Sequence, residues 1–230
     1  MKAFIIYLPK SKKSSSIAGE LNEEISNLID VRLFSGVDRY TSWQTYVDSG
    51  YTINDITRFG GGNIDSEIAT FFSHFNLWKK CLDLNENILI LEHDAKLISD
   101  FNVASLAKFK GDLLNLGLPN WGNRVWEGEG ILKREICEGF HDIYKPEEGE
   151  CQCNTQWLFG AHAYVVTPNG AKKLIQSADR DGILPADTFL RQEVINIHDN
   201  LPHSFSQKES FSLIQKHKIY DKQEIDAWDY

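Results

Sequence analysis

Apolar positions along the chain fall into short continuous runs that alternate with longer stretches of helical spacing. "AFIIYL" (3–8) reads as a first buried strand that stops at Pro9 and gives way to the polar loop "KSKKSSS". Residues 17–29 carry Ile17, Leu21, Ile25 and Leu28 at helical spacing, and "DVRLF" (30–34) reads as a second strand. Residues 38–64 are mixed and end in the loop "GGGN", which no strand precedes and which lacks the Lys-Ser/Thr of a phosphate-binding loop. Asp65 or Ser66 is a suitable N-cap for a helix running to about Leu84, with Ile68, Phe71, Phe72, Phe75, Trp78 and Leu82 on a broad apolar face. "NILILE" (87–92), "DLLNLG" (112–117) and "GAHAYVVT" (160–167) are further strands, and the helix "AKKLIQSA" starts after Pro168. Strands alternating with helices predict an α/β layer around a mixed, largely parallel sheet, whose ligands bind beyond the carboxyl ends of the strands.

One strand ends unusually. In "ILILEHDAKL" (88–97) an apolar run meets Glu92, His93 and Asp94. Along an extended segment i and i+2 point the same way, so Glu92 and Asp94 share one side. Burying an isolated anion costs several kcal/mol, so such a pair faces solvent, a cation or a metal. Two hard oxygen ligands suit Mg²⁺ or Mn²⁺, with substrate phosphates completing the shell.

Composition narrows the function. Within 230 residues, 42% are apolar and 12% aromatic, which supports one well-cored domain over residues 1–230. The formal charge of −9 argues against general nucleic-acid binding, which needs many phosphate contacts. The chain shows no membrane-length apolar stretch, signal-peptide pattern or glycosylation sequon, so a cytoplasmic protein is expected. Of the four cysteines, Cys81 sits in a helical pattern as a small core residue. Cys137, His141, Cys151 and Cys153 crowd one segment as candidate zinc ligands, but Cys-x-Cys is tighter than the usual spacing, and free thiols without a tightly held metal are expected. The aromatics of that region (Trp121, Trp126, Phe140, Tyr144, Trp157) can stack on sugar faces or form the segment's own small core.

The order of the motifs carries a resemblance. "DSEIATFFSHFNLWKK" followed by "NILILEHDAKL", then "GAHAYVVTPNGAKKLI" and "LPADTFL", resembles glycosyltransferase family 25, which includes lipooligosaccharide and collagen galactosyltransferases. The family pairs a Gly-Glu-x-Gly-Cys, Ser-His, Leu-Trp helix with a strand ending Leu-Glu-Asp-Asp, then an Ala-Tyr, Gly-Ala-x-x-Leu segment and Pro-Val-Asp-x-x-Leu. Here His93 replaces the middle acid, Ser66 the first glycine and Thr70 the cysteine, while the basic residues after the first strand are Lys10, Lys12 and Lys13 rather than arginines. Lysine acts on a diphosphate as a point charge where arginine forks onto it.

The resemblance implies a GT-A-like nucleotide-sugar fold and an inverting, metal-assisted transfer, with UDP-galactose as donor and Mn²⁺ or Mg²⁺ as cofactor. It implies Asp94 and Glu92 as metal ligands, and Lys10, Lys12, Lys13, His74 and Glu92 around the donor. Asp187 is the expected base and Glu67 the next candidate; Asp187 can otherwise be the N-cap of a helix "TFLRQEVI". Glu67 and His74, seven apart, share a helix face. His93 and His162 are read as structural, and nothing in the sequence selects between the late histidines His198 and His203. The acceptor hydroxyl can belong to a glycan, a protein or a modified nucleobase. A metal-dependent phosphohydrolase and a non-catalytic carbohydrate-binding protein are the rival readings; the first has no claim on the later motifs, and the second rests on His93.

Overall fold

The structure is a computed structural model describing residues 1–54, 63–118, 139–142, 158 and 161–208. Cys137, Cys151 and Cys153, with Trp121, Trp126, Tyr144 and Trp157, lie outside the described residues.

The chain opens with β1 (Lys2–Tyr7), α1 (Lys12–Ile25) and β2 (Asp30–Ser35). A 3-10 turn (Arg39–Thr41) leads into α2 (Ser42–Ser49), and α3 (Ile64–Leu84) follows. Next come β3 (Ile88–Glu92), β4 (Ala95–Leu97), α4 (Val103–Lys108) and β5 (Leu113–Asn115). The later elements are β6 (Gly139–Asp142), β7 (Ala163–Val166), α5 (Pro168–Asp181), α6 (Ala186–Phe189), β8 (Ile197–Leu201) and β9 (Phe205–Gln207).

The main sheet has the order β2-β1-β3-β7-β5-β8-β6. Strands β2, β1, β3, β5 and β8 run one way, while β7 and β6 oppose them. The mixed, largely parallel α/β sheet expected from the alternation of runs is therefore present. Its central strands are buried on both faces, which is why they read as unbroken apolar runs. Their alternation divides two cores. Phe4, Ile6, Ile88, Ile90, Tyr164 and Val166 meet Phe71, Phe75 and Trp78 of α3 and Leu174 of α5. Ala3, Ile5, Leu89, Leu91, Ala163 and Val165 meet Leu21 and Ile25 of α1 and Leu106 of α4.

Several helix boundaries depart from the pattern. The expected polar loop after β1 is already helix from Lys12, capped by Ser11, whose side chain accepts from the Ser14 amide at 3.1 Å. Apart from Ser14, its first turn carries no buried side chain, so the apolar period starts one turn late. Asn63 rather than Asp65 or Ser66 caps α3, accepting from the Asp65 amide at 2.9 Å. That helix ends where Asn85 turns left-handed at φ 49°, a conformation asparagine tolerates. The alternative reading of Asp187 as the cap of a helix "TFLRQEVI" does not hold: the helix here is the single turn α6, which starts at Ala186 with Pro185 at its N-cap.

At one helix start, glycine is required for packing. A Cβ at Gly170 would overlap the Asp112 carbonyl, so the glycine of the Gly-Ala-x-x-Leu motif lets α5 seat against the start of β5. Asp112 itself, 3% exposed, gathers that end of the sheet. It accepts from Lys173 (2.6 Å), Asn169 (2.7 Å) and the Asn196 amide (3.0 Å). Burial alone would raise its pKa, but Lys173 and the two other donors outweigh it and hold the carboxyl below its ordinary value.

Asp112→Ala should destabilise the protein by about 2–3 kcal/mol near neutral pH, because three donors lose a charged acceptor. A carboxyl depressed in the folded state contributes stability above its unfolded pKa of about 4, lost as pH falls through the folded value. Denaturant titrations of parent and variant should therefore diverge at pH 7 and converge as pH drops below about 4.

Candidate active site

Because β2, β1, β3, β5 and β8 run together, their carboxyl ends gather at one edge of the sheet, where the start of β7 joins them. Glu92 is the last residue of β3 and continues the Ile88–Ile90 face, so it points toward α3. There His74 waits at 0% exposure, its Nε2 3.2 Å from Glu92 Oε1. His74 Nδ1 lies 2.8 Å from the Tyr164 hydroxyl, which accepts from Trp78 Nε1 at 3.0 Å. Burial pushes the Glu92 carboxyl up, but the His74 hydrogen bond and the neighbouring histidines outweigh it and keep the pKa below the ordinary range.

His93 and Asp94 form a turn between β3 and β4, so the extended geometry assumed for Glu92 and Asp94 ends one residue early. The carboxylates remain electrostatic neighbours even so. Asp94 is 2% exposed, and its pKa rises to about 7, through burial first and then the charge of Glu92. Its Oδ2 accepts from Gln207 at 2.7 Å, while its buried Oδ1 has no hydrogen-bond partner among the described residues. The turn's His93 has a pKa lowered by burial, with Lys13 and Lys208 adding to the effect, so both lysines stand near the turn.

Asp187 arrives from the far end of the sequence. It is exposed, but the turn presenting it is packed through Ala186 and through Phe189, whose ring stacks on Trp78 with centroids 5.6 Å apart. Its Oδ1 accepts from the Thr188 amide at 2.9 Å. Desolvation against the packed turn, then the charge of Glu92, hold its carboxyl above the ordinary value, which makes Asp187 an electrostatic neighbour of Glu92.

The other expected site residues spread out. Lys10 pairs with Asp38 at 3.6 Å, and Lys12 is exposed at the start of α1. Glu67 is half-buried, seven residues before His74 and so about 10 Å away along α3. His162, 0% exposed, lends its carbonyl to the Glu92 amide at 2.9 Å, and His203 approaches Asp199 at 3.5 Å. Cys81 is the expected core thiol, with burial pushing its pKa up to about 12.

Gln207 and Lys208 were not legible in the sequence. Gln207 reaches Asp94 because β9 pairs with β4 in the register Ala95↔Gln207, and the Lys208 amide donates to the Asp94 carbonyl at 2.9 Å. Among the described residues no cluster of three His, Cys, Asp or Glu could hold a metal. A divalent ion nevertheless fits the chemistry of Glu92 and Asp94: both are hard oxygen donors, Glu92 is ionised, and Asp94 Oδ1 is buried without a partner among the described residues. No helix among the described residues is long and apolar enough to cross a membrane.

Known proteins share parts of this chain. A "Glycosyltransferase 25 family member" of Anopheles gambiae is 27% identical over 125 residues, 54% of this chain. The match spans only 19% of that relative's length. Among solved structures, the galactosyltransferase LgtC in complex with donor and acceptor sugar analogs superposes with a TM-score of 0.48 at 10% identity, over 100% of this chain and 95% of that one. A mannose-1-phosphate geranyltransferase from Thermus thermophilus gives 0.40 at 12% identity, over 89% and 74%. The family described as glycosyltransferase family 25 (LPS biosynthesis protein) matches residues 1–190. That span carries the helix, the acidic strand end and the Asp187 turn, and by it the chain belongs to glycosyltransferase family 25.

Proposed function

We propose that this chain transfers a sugar from a nucleotide-sugar donor to an acceptor hydroxyl, inverting the anomeric centre with the assistance of Mn²⁺ or Mg²⁺. The observation that carries the reading is the acidic end of β3, where an ionised Glu92 neighbours an Asp94 whose Oδ1 is buried and unbonded among the described residues. UDP-galactose is the donor that the family resemblance favours, and a glycan, protein or modified-nucleobase hydroxyl is the acceptor.

In this reading Asp94 and Glu92 would hold the cation, and Gln207 fixes the orientation of Asp94. The bound ion would neutralise the nucleoside diphosphate as it leaves. Lys13 and Lys208 act electrostatically on the His93 turn, the Lys208 ammonium being also paired with Glu20 at 3.0 Å. Asp187 takes the proton of the acceptor hydroxyl as that oxygen attacks the anomeric carbon on the face opposite the departing diphosphate. Its raised pKa suits this role, since a more basic carboxylate accepts a proton more readily. The packed turn beneath it limits its freedom, as general-base catalysis requires.

Two measurements test the assignment. Release of nucleoside diphosphate from a panel of sugar nucleotides with Mn²⁺ should fall by orders of magnitude in Asp94→Asn, with much weaker Mn²⁺ dependence and an intact circular dichroism spectrum. Normal turnover in that variant would remove Asp94 from the mechanism. Phosphate-monoester hydrolysis, or binding without turnover, would favour the rival readings.

Asp187→Asn should lower the transfer rate on the order of a hundredfold at nearly unchanged donor affinity. Because a base acts deprotonated and this carboxyl is held above its ordinary value, parent activity should rise with pH along a limb lying above about pH 4. In Asp187→Asn the part of this limb due to Asp187 should vanish, leaving the dependence that Asp94 imposes near neutrality. Parent-like rates in this variant would send the search for the base to Glu67.

A further inference from the structure

Behind Glu92 stands a file of three buried side chains from two elements. Trp78 and His74 come from α3 and Tyr164 from β7, and each is 0% exposed. An indole offers one donor and no acceptor, so the Tyr164 oxygen accepts from Trp78 Nε1. The phenol then has a single proton of its own to place. Among the described residues His74 Nδ1, at 2.8 Å, is the partner remaining for it. A buried hydroxyl rarely leaves its proton unbonded. His74 Nδ1 is therefore an acceptor, which leaves the ring's hydrogen on Nε2, the atom 3.2 Å from Glu92 Oε1.

We propose that Trp78 and Tyr164 are positioning residues that lock His74 in its Nε2–H tautomer, so that it donates to Glu92 and fixes that carboxylate toward the donor site. Glu92 ends a strand and keeps 24% of its side chain exposed, and the His74 contact is the hydrogen bond that orients its carboxylate among the described residues. The His74 and Tyr164 rings are also stacked, 5.7 Å between centroids at 21°, which favours the orientation that the hydrogen bonds require. Trp78 also stacks on Phe189, two residues after Asp187, so one indole braces both carboxylates. The link to turnover rests on the glycosyl-transfer reading; the tautomer does not.

The test has two arms. In ¹⁵N-histidine-labelled, metal-free protein at pH 7, the His74 signals are identified by their absence from His74→Gln. They should show a protonated, pyrrole-like Nε2 and an unprotonated, pyridine-like Nδ1. Tyr164→Phe should abolish that single pattern. Any other protonation state in the parent, or an unchanged pattern in Tyr164→Phe, overturns the proposal.

The second arm compares amides, since glutamine places an N–H near the Nε2 position and asparagine near Nδ1. His74→Asn should lower kcat about 10–100-fold with donor KM little changed, as is usual for lost support of a ligating group, while His74→Gln should recover most of the loss. Equal losses in the two variants, both confirmed folded at the assay temperature, would mean that His74 only fills space. If the parent turns over no sugar nucleotide at all, the glycosyl-transfer reading fails by itself, and the histidine spectrum still decides the positioning proposal.

Discussion

A negative charge at the end of a strand buried on both faces is the constraint on which this structure turns. β3 needs its apolar run to occupy the middle of the sheet, yet its last side chain is a carboxylate aimed at a packed helix. Taking such an anion out of water costs several kcal/mol unless hydrogen bonds compensate it. His74 provides that compensation, and the aromatic packing of Phe71, Phe75 and Trp78 brings α3 close enough for it to do so. The apolar core and the polar site are one construction, because the helix that covers the strand also holds the strand's charge.

A second carboxylate beside the first changes the electrostatics. With Glu92 ionised, Asp94 resists losing its own proton and titrates near neutrality, and Asp187 is raised in the same direction. Environments that push neighbouring acids apart separate their roles. Lys13 and Lys208 act on the turn, but the Lys208 ammonium is also paired with Glu20, so negative potential remains that a divalent ion would complete. The opposite end of the sheet is built the other way: Asp112 is surrounded by donors and ties α5 and the segment before β8 to the start of β5. Saturation makes a clamp, and an unfilled acceptor makes a site.

Much of this was legible in the sequence. The runs 3–8 and 88–92 and the apolar face of α3 announce themselves because burial acts on local periodicity, with a period of two in strands and 3.6 in helices. Glu92 and Asp94 could be named because acids directly after an apolar run conflict with burial. Asp187 could be singled out because Pro185 and its apolar neighbours mark an anchored turn. Less was legible where a segment's pattern is mixed. α2, α4 and the short strands β4, β8 and β9 have few buried side chains or few residues, so local periodicity cannot distinguish them from loop.

The sequence by itself thus determined the layered α/β architecture, the helix that faces the acidic strand and the acids that the fold had to accommodate. Only the tertiary structure decided how those acids are held. Gln207 meets Asp94 across 113 positions of sequence, and Tyr164 meets His74 across 90. Each meeting depends on which strands become neighbours, β9 with β4 and β7 with β3, and in what register. Strand neighbours are chosen by the packing of the whole sheet rather than by any local preference, so the donors that give each carboxylate its charge state could not be read before the chain was folded.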